Sequence, residues 1–157
     1  MDKLTVIFVS GDSEVDKIID EVSHGPISHV AIKILGSVLE AEGIKDPTDK
    51  FPGVWLHPLD KYDNDPHAIF IDIDIPYLID AEGEARRLLA TPYGYIDCIR
   101  GGIHDLTGID IRGNTITANC SETVTRILRS GCFSILPDVP PDDVTPNDIY
   151  RVLTANV

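Results

Sequence analysis

Apolar and polar positions alternate with two clear periods along this chain, and the switches between them mark out its elements. Residues 4–9 form a continuous apolar, β-branched run, which predicts a buried strand. From residue 14 to 23, Val15, Ile18, Ile19 and Val22 recur at helical spacing, and Gly25-Pro26 ends that helix. Residues 27–35 (ISHVAIKIL) return to a period of two: Val30, Ile32 and Ile34 share one face, and His29, Ala31 and Lys33 the other. Gly36 makes a turn, and residues 37–44 follow as a hairpin partner, with Val38, Glu40 and Glu42 opposite Leu39 and Ala41. Short strands are expected at 54–58 and 68–75, the latter alternating apolar and acidic residues from Ile69 onward, as a half-exposed strand does. Polar loops at 45–53 and 61–67 precede them.

The second half is helical. Leu78, Ala81, Ala85, Leu88 and Leu89 predict a helix over 77–90, with Gly83 its weakest position. Residues 96–103 predict a shorter one, ahead of Gly-containing loops that run to Gly113. Asn119 is a good N-cap for a helix that begins at Cys120, and Glu122 is spaced to complete a capping box. Cys120, Val124, Ile127 and Leu128 fall on one face, and Gly131 stands where a C′ residue would. After a Pro- and Asp-rich connector, Thr145 as N-cap and Pro146 at N1 open a last helix with Ile149, Val152 and Leu153 on its buried face. A helix between early strands, then antiparallel-type strands and late helices, implies an α+β fold in one domain spanning 1–157.

Composition narrows the partners. A formal net charge of −13 leaves no basic patch to neutralise phosphates, so nucleic acid is not expected. No stretch approaches the ~18 apolar residues of a membrane span. The first ten residues lack the basic region and long apolar core of a signal peptide, which points to a cytoplasmic setting. Three cysteines (Cys98, Cys120 and Cys132) with no CxxC pair argue against a disulfide framework.

Candidate chemistry centres on Cys120 and His29. A thiol at a helix N-terminus is placed to act as a thiolate nucleophile, but a packed structural cysteine has the same position. His29 interrupts an otherwise apolar strand, and the small Ala31 beside it would leave room for a packed helix. A thiol nucleophile needs an imidazole within hydrogen-bond reach and a third polar group to orient that ring. Glu40, on the adjacent antiparallel strand, is the first candidate orienter, and Glu42 on the same face the substitute. The bland reading of His29 is a satisfied histidine near a sheet edge. Cys98 and Cys132 lack an evident base and read as structural. His24 and His29 match no standard metal spacing, and the acidic loop 60–65 lacks the Gly and terminal Glu of a calcium loop. No metal or cofactor is expected.

Three blocks in order carry a resemblance: Ile27-Ser28-His29-Val30-Ala31-Ile32, then Val38-Leu39-Glu40-Ala41 with Gly43-Ile44, then Asn119-Cys120-Ser121-Glu122-Thr123-Val124. Together they resemble the permuted NlpC/P60 group of papain-like cysteine hydrolases, YiiX-like in pattern, with a distant similarity to lecithin:retinol acyltransferase. Gly11-Asp12, Pro92-Tyr93-Gly94-Tyr95 and Thr145-Pro146-Asn147-Asp148 extend the similarity over most of the chain. Ala31 departs from it, because the family often has Gly there. The cysteine comes after the histidine, the order that the circularly permuted form implies. The resemblance implies a papain-like fold in which an antiparallel sheet packs against helices. It also implies a triad of Cys120 as nucleophile, His29 as base and Glu40 as orienter. The implied activity is that of a thiol peptidase or amidase on a small peptide-like or acyl substrate, with Tyr95 as a candidate lining residue. A lipid or acyl hydrolase, an acyltransferase, and an inactive binding module are the rival expectations.

Overall fold

A computed structural model describes residues 1–10, 26–43, 46–94 and 119–155. Among these residues five strands form one antiparallel sheet: β1 (Asp2–Ser10), β2 (Ile27–Ile34), β3 (Ser37–Glu42), β4 (Gly53–His57) and β5 (Ala68–Ile75). Their order across the sheet is β4-β3-β2-β1-β5. Among the described residues three α-helices follow: α1 (Leu78–Leu88), α2 (Cys120–Ser130) and α3 (Pro146–Ala155). This is the α+β class that the pattern implies. No helix among the described residues is long and apolar enough to cross a membrane. The helices expected at 14–23 and 96–103 lie outside the described residues.

β1 is longer than its apolar run because it is paired on both sides. Its register against β5 runs from Asp2↔Ile75 to Val9↔Ala68, so hydrogen bonding recruits the polar residues at either end. β2 stops one residue short of the expected Leu35. Leu35 and Gly36 both take positive φ, 56° and 68°, the signature of a tight two-residue hairpin turn. That turn fixes the register at Ile34↔Ser37, Lys33↔Val38 and Ile32↔Leu39. β3 in turn places Glu40 opposite Trp55 and Val38 opposite His57 on β4. The free edge of β4 is covered: Val54 and Ala90 exchange backbone bonds with Thr91 and Val54, and Gly53 bridges Pro92. Only glycine fits there, since a Cβ on Gly53 would meet the Thr91 carbonyl oxygen at 2.5 Å.

The period of two sorts the sheet into a helix-covered face and a loop-covered face. Val6, Phe8, Val30, Ile32, Ile34, Leu39, Ala41, Ile73 and Ile75 bury against Ala81 and Ala85 of α1, Val124, Ile127 and Leu128 of α2, and Ile149 and Leu153 of α3. Phe8 meets the edge of Tyr150 at 5.2 Å between ring centroids. The opposite face carries a smaller cluster of Ile7, Ala31 and Val38, capped by Tyr62 from the 58–67 loop. One expectation is corrected here: the space beside Ala31 admits the Tyr62 ring, and the helices pack on the Val30/Ile32/Ile34 face instead.

Helix ends follow capping chemistry, with two shifts. α1 is shorter than 77–90, running from Leu78 to Leu88, and Ala90 has turned to a left-handed φ of 64° on its way to β4. At the end of α2, Gly131 has φ −78°, and Cys132 is the residue in the left-handed region, at 58°. The bonds Phe133 N–H to Leu128 O and Cys132 N–H to Arg129 O make a Schellman motif one position later than Gly131 would give. Gly131 is required for packing: an added Cβ would fall 2.3 Å from Ile75 Cδ1. Arg129 holds the following turn by donating to the carbonyls of Ile135, Leu136 and Val139.

Candidate active site

Each element brings its polar residue to the site for a local reason. Asn119 caps α2 as its sequence predicts, its side-chain oxygen accepting the Glu122 N–H at 2.7 Å. The Thr123 N–H and hydroxyl both close on the Asn119 carbonyl. Ser121 ties the same turn to the backbone before α3, donating to the Val144 carbonyl at 2.6 Å. The Glu122 carboxylate accepts from Arg126 one turn on. These bonds fix the first turn of α2 and with it the buried Cys120 thiol. The N-terminus of β2 is fixed from α3: the buried Asn147 side chain accepts from the Ile27 N–H (3.1 Å) and donates to the Ile27 carbonyl (2.9 Å). A carboxamide thus replaces a strand neighbour two residues before His29.

The structure pairs His29 with Glu40 across adjacent strands. The His29 Nε2–H donates to Glu40 Oε2 at 2.7 Å. Cys120 lies near enough to the same ring to contribute to its basicity. Because Nε2 is committed to Glu40, Nδ1 is the nitrogen left for the thiol. Glu40 is 0 % exposed, whereas the His29 side chain keeps 20 % of its surface open. Glu42, the substitute orienter, is bound to Lys61 at 2.6 Å. Tyr95 lies outside the described residues, as do Cys98, His24 and His104. Cys132 is exposed.

Glu40 gathers more partners than the sequence reading gave it. Its Oε2 also accepts from the Tyr62 hydroxyl at 2.6 Å, and its Oε1 accepts from His57 Nδ1 at 2.6 Å and from Lys61 Nζ. His57 Nε2 in turn faces both oxygens of the buried Asp49 at 3.2 Å. Sequence reasoning missed His57, Asp49, Lys61 and Tyr62. The signal available was register: two residues from Trp55, His57 shares the strand face that carries Glu40's neighbours. For Lys61 and Tyr62, within a polar loop, no periodic signal exists.

The electrostatics follow from this crowding. Burial opposes charge on Glu40, but hydrogen bonds from His29 and His57 and the charges of His29 and Lys61 outweigh it, holding the carboxyl far below its ordinary 4.5. Burial also opposes charge on His29. The interactions with Cys120 and with the Glu40 carboxylate prevail and push the imidazole up to about 10. His57 is raised chiefly by its bond to Glu40, against its burial and the Lys61 charge. Burial, then the Glu40 charge and hydrogen bond, raise the Tyr62 phenol well beyond its usual range. Near neutrality the site is an array of buried charges centred on one ionised carboxylate, with Tyr62 as a neutral donor.

Among the described residues, two groups of side chains have the ligand types for a cation: His29, Glu40 and Glu42, and Glu42, Asp46 and His57. The Lys61 ammonium, donating to both Glu40 and Glu42, already supplies positive charge at their shared point. No family model matches the sequence, and no curated protein matches it.

Proposed function

We propose that this protein is a cysteine hydrolase of the amidase or peptidase type, with Cys120 as nucleophile, His29 as base and acid, and Glu40 as the group that orients His29. The carrying observation is the His29 ring, held by the buried Glu40 at 2.7 Å and near enough to Cys120 for that residue to raise its basicity. The raised basicity of His29 suits it to take the thiol proton and so leave a thiolate for attack.

The thiolate sulfur attacks the carbonyl carbon of an amide, ester or thioester substrate. The N–H of Cys120, at the positive end of α2, is a natural donor to the oxyanion that forms. The C–N, C–O or C–S bond to the leaving group then breaks, and His29 delivers its Nδ1 proton to that group. Neutral His29 next takes a proton from water, whose oxygen attacks the thioester carbon. The bond to Cys120 breaks, the acid product leaves, and the thiolate and imidazolium are restored. Glu40, unable to take up a proton at neutral pH, keeps the Nε2–H tautomer and ring orientation throughout.

The same residues fit the circularly permuted, papain-like NlpC/P60 arrangement that the sequence blocks resemble. Supporting that reading are an antiparallel sheet with the histidine strand beside the glutamate strand, and a cysteine at the start of a helix packed on that sheet. The test is acyl-enzyme trapping with a thiol-directed acyl probe. Labelling on the Cys120 peptide should occur in the wild type and vanish in Cys120→Ala. Labelling of Cys120 that is as fast in His29→Ala as in the wild type would rule the pair out.

A further inference from the structure

We infer that His57 is a positioning residue for this site: it locks the Glu40 carboxylate in the orientation that holds His29, with Asp49 as its own anchor. The inference rests on the Cys120–His29 reading above and extends the working set from three residues to five. His57 lies between two carboxylates, Nδ1 2.6 Å from Glu40 Oε1 and Nε2 3.2 Å from both Asp49 oxygens. A neutral imidazole has one N–H and can donate at one end only. With a carboxylate at each end, the ring is held as an imidazolium that donates at both. The other charged groups facing it are Lys61, with Nζ 3.5 Å from Nδ1, and Glu42 and Asp46 beyond.

The consequence falls on Glu40. A carboxylate offers about four lone-pair sites, and here four donors fill them: His29 and Tyr62 on Oε2, His57 and Lys61 on Oε1. Turning the carboxylate away from His29 would therefore break its bond to His57 as well. Lys61 has a flexible four-carbon stem and can follow such a turn. His57 cannot, because its ring is buried and pinned at its far side by Asp49. The rigid donor on Oε1 is thus the one that sets the plane of the carboxylate, and through it the His29 ring.

The experiment combines two readouts on His57→Gln, Asp49→Asn and the wild type. One is the set of far-downfield imidazole N–H resonances of 15N-histidine-labelled protein. The other is the iodoacetamide alkylation rate of Cys120, read on its own peptide by mass spectrometry. The wild type should show separate signals for His29 Nε2–H and His57 Nδ1–H. His57→Gln should remove the second, shift or broaden the first, and slow alkylation by about tenfold, the lower end of what loss of an outer partner costs an oriented histidine. Asp49→Asn leaves Glu40 and His57 in place and should move both readouts the same way by less, so the test survives if His57→Gln fails to fold. An unchanged His29 signal and an unchanged alkylation rate in the folded variants overturn the positioning role and leave the Cys120–His29 pair standing. A rate unchanged in His29→Ala overturns the pair itself.

Discussion

Glu40 Oε2 accepts the His29 Nε2–H at 2.7 Å from the adjacent strand, while Glu42, two residues further along the same face, is bound to Lys61. The two glutamates therefore differ sharply in expected effect. Glu40→Gln removes the one anion that His29, His57 and Lys61 share, and breaking such a buried charge set costs about 3–5 kcal/mol. Cys120 reactivity should fall by about 10²- to 10⁴-fold, the range for disturbing the orientation of an active-site histidine. Glu42→Gln leaves Glu40 four donors and should change reactivity by less than about threefold, in line with the small worth of a partly exposed ion pair. Urea unfolding and alkylation kinetics on both variants check this contrast.

Stability should depend on pH with a defined shape. His29 is raised from 6.5 to about 10, so its contribution is complete below 6.5 and is lost as pH climbs through about 10. Glu40 is lowered, so its contribution is complete above its ordinary 4.5 and is lost as pH falls further below that value. The combined contribution is therefore greatest between about 4.5 and 6.5 and declines on both sides. Denaturant unfolding across roughly pH 3–10, the range these groups span, measures the curve. In His29→Ala the alkaline decline should be shallower than in the wild type.

Asn147 should prove a structural clamp with a functional consequence. Asn147→Ala leaves the buried Ile27 N–H and C=O without their partner, at a cost of about 2–3 kcal/mol. Because Ile27 lies two residues before His29, Cys120 alkylation should slow in the same variant. A melting curve and the labelling rate are the two measurements.

Two glycines give opposite outcomes on alanine substitution. Gly131→Ala drives a methyl into Ile75 Cδ1 and Cγ1, at 2.3 and 2.6 Å, and within 3.1 Å of the Ala81 Cβ. Overpacking of that kind costs about 1–3 kcal/mol. Gly83, inside α1, has nothing within 4 Å of an added Cβ, so Gly83→Ala should stabilise by about 0.5–1 kcal/mol through helix propensity. Urea midpoints for the two variants should move in opposite directions.

The sequence by itself determined whatever short-range periodicity and capping encode. Alternation placed His29 and Ala31 opposite Val30 and Ile32, and Glu40 opposite Leu39 and Ala41. Asn119 and Thr145 each carried its own helix start, because a cap is a contact within a few residues. Tertiary structure decided which covering lies on which face, since alternation names two faces without saying what packs on either. Hence the room beside Ala31 went to Tyr62. It also decided where α2 turns: the close approach of Ile75 forbids a side chain at position 131, and the left-handed position passes to Cys132. Above all it decided the company of Glu40. Lys61, Tyr62 and Asp49 come from polar loops, where a residue that faces water and one that folds back onto a buried carboxylate look alike in sequence. Only the folded loops, by excluding water from Glu40, make donors of Lys61 and Tyr62 and set Asp49 where it accepts from His57.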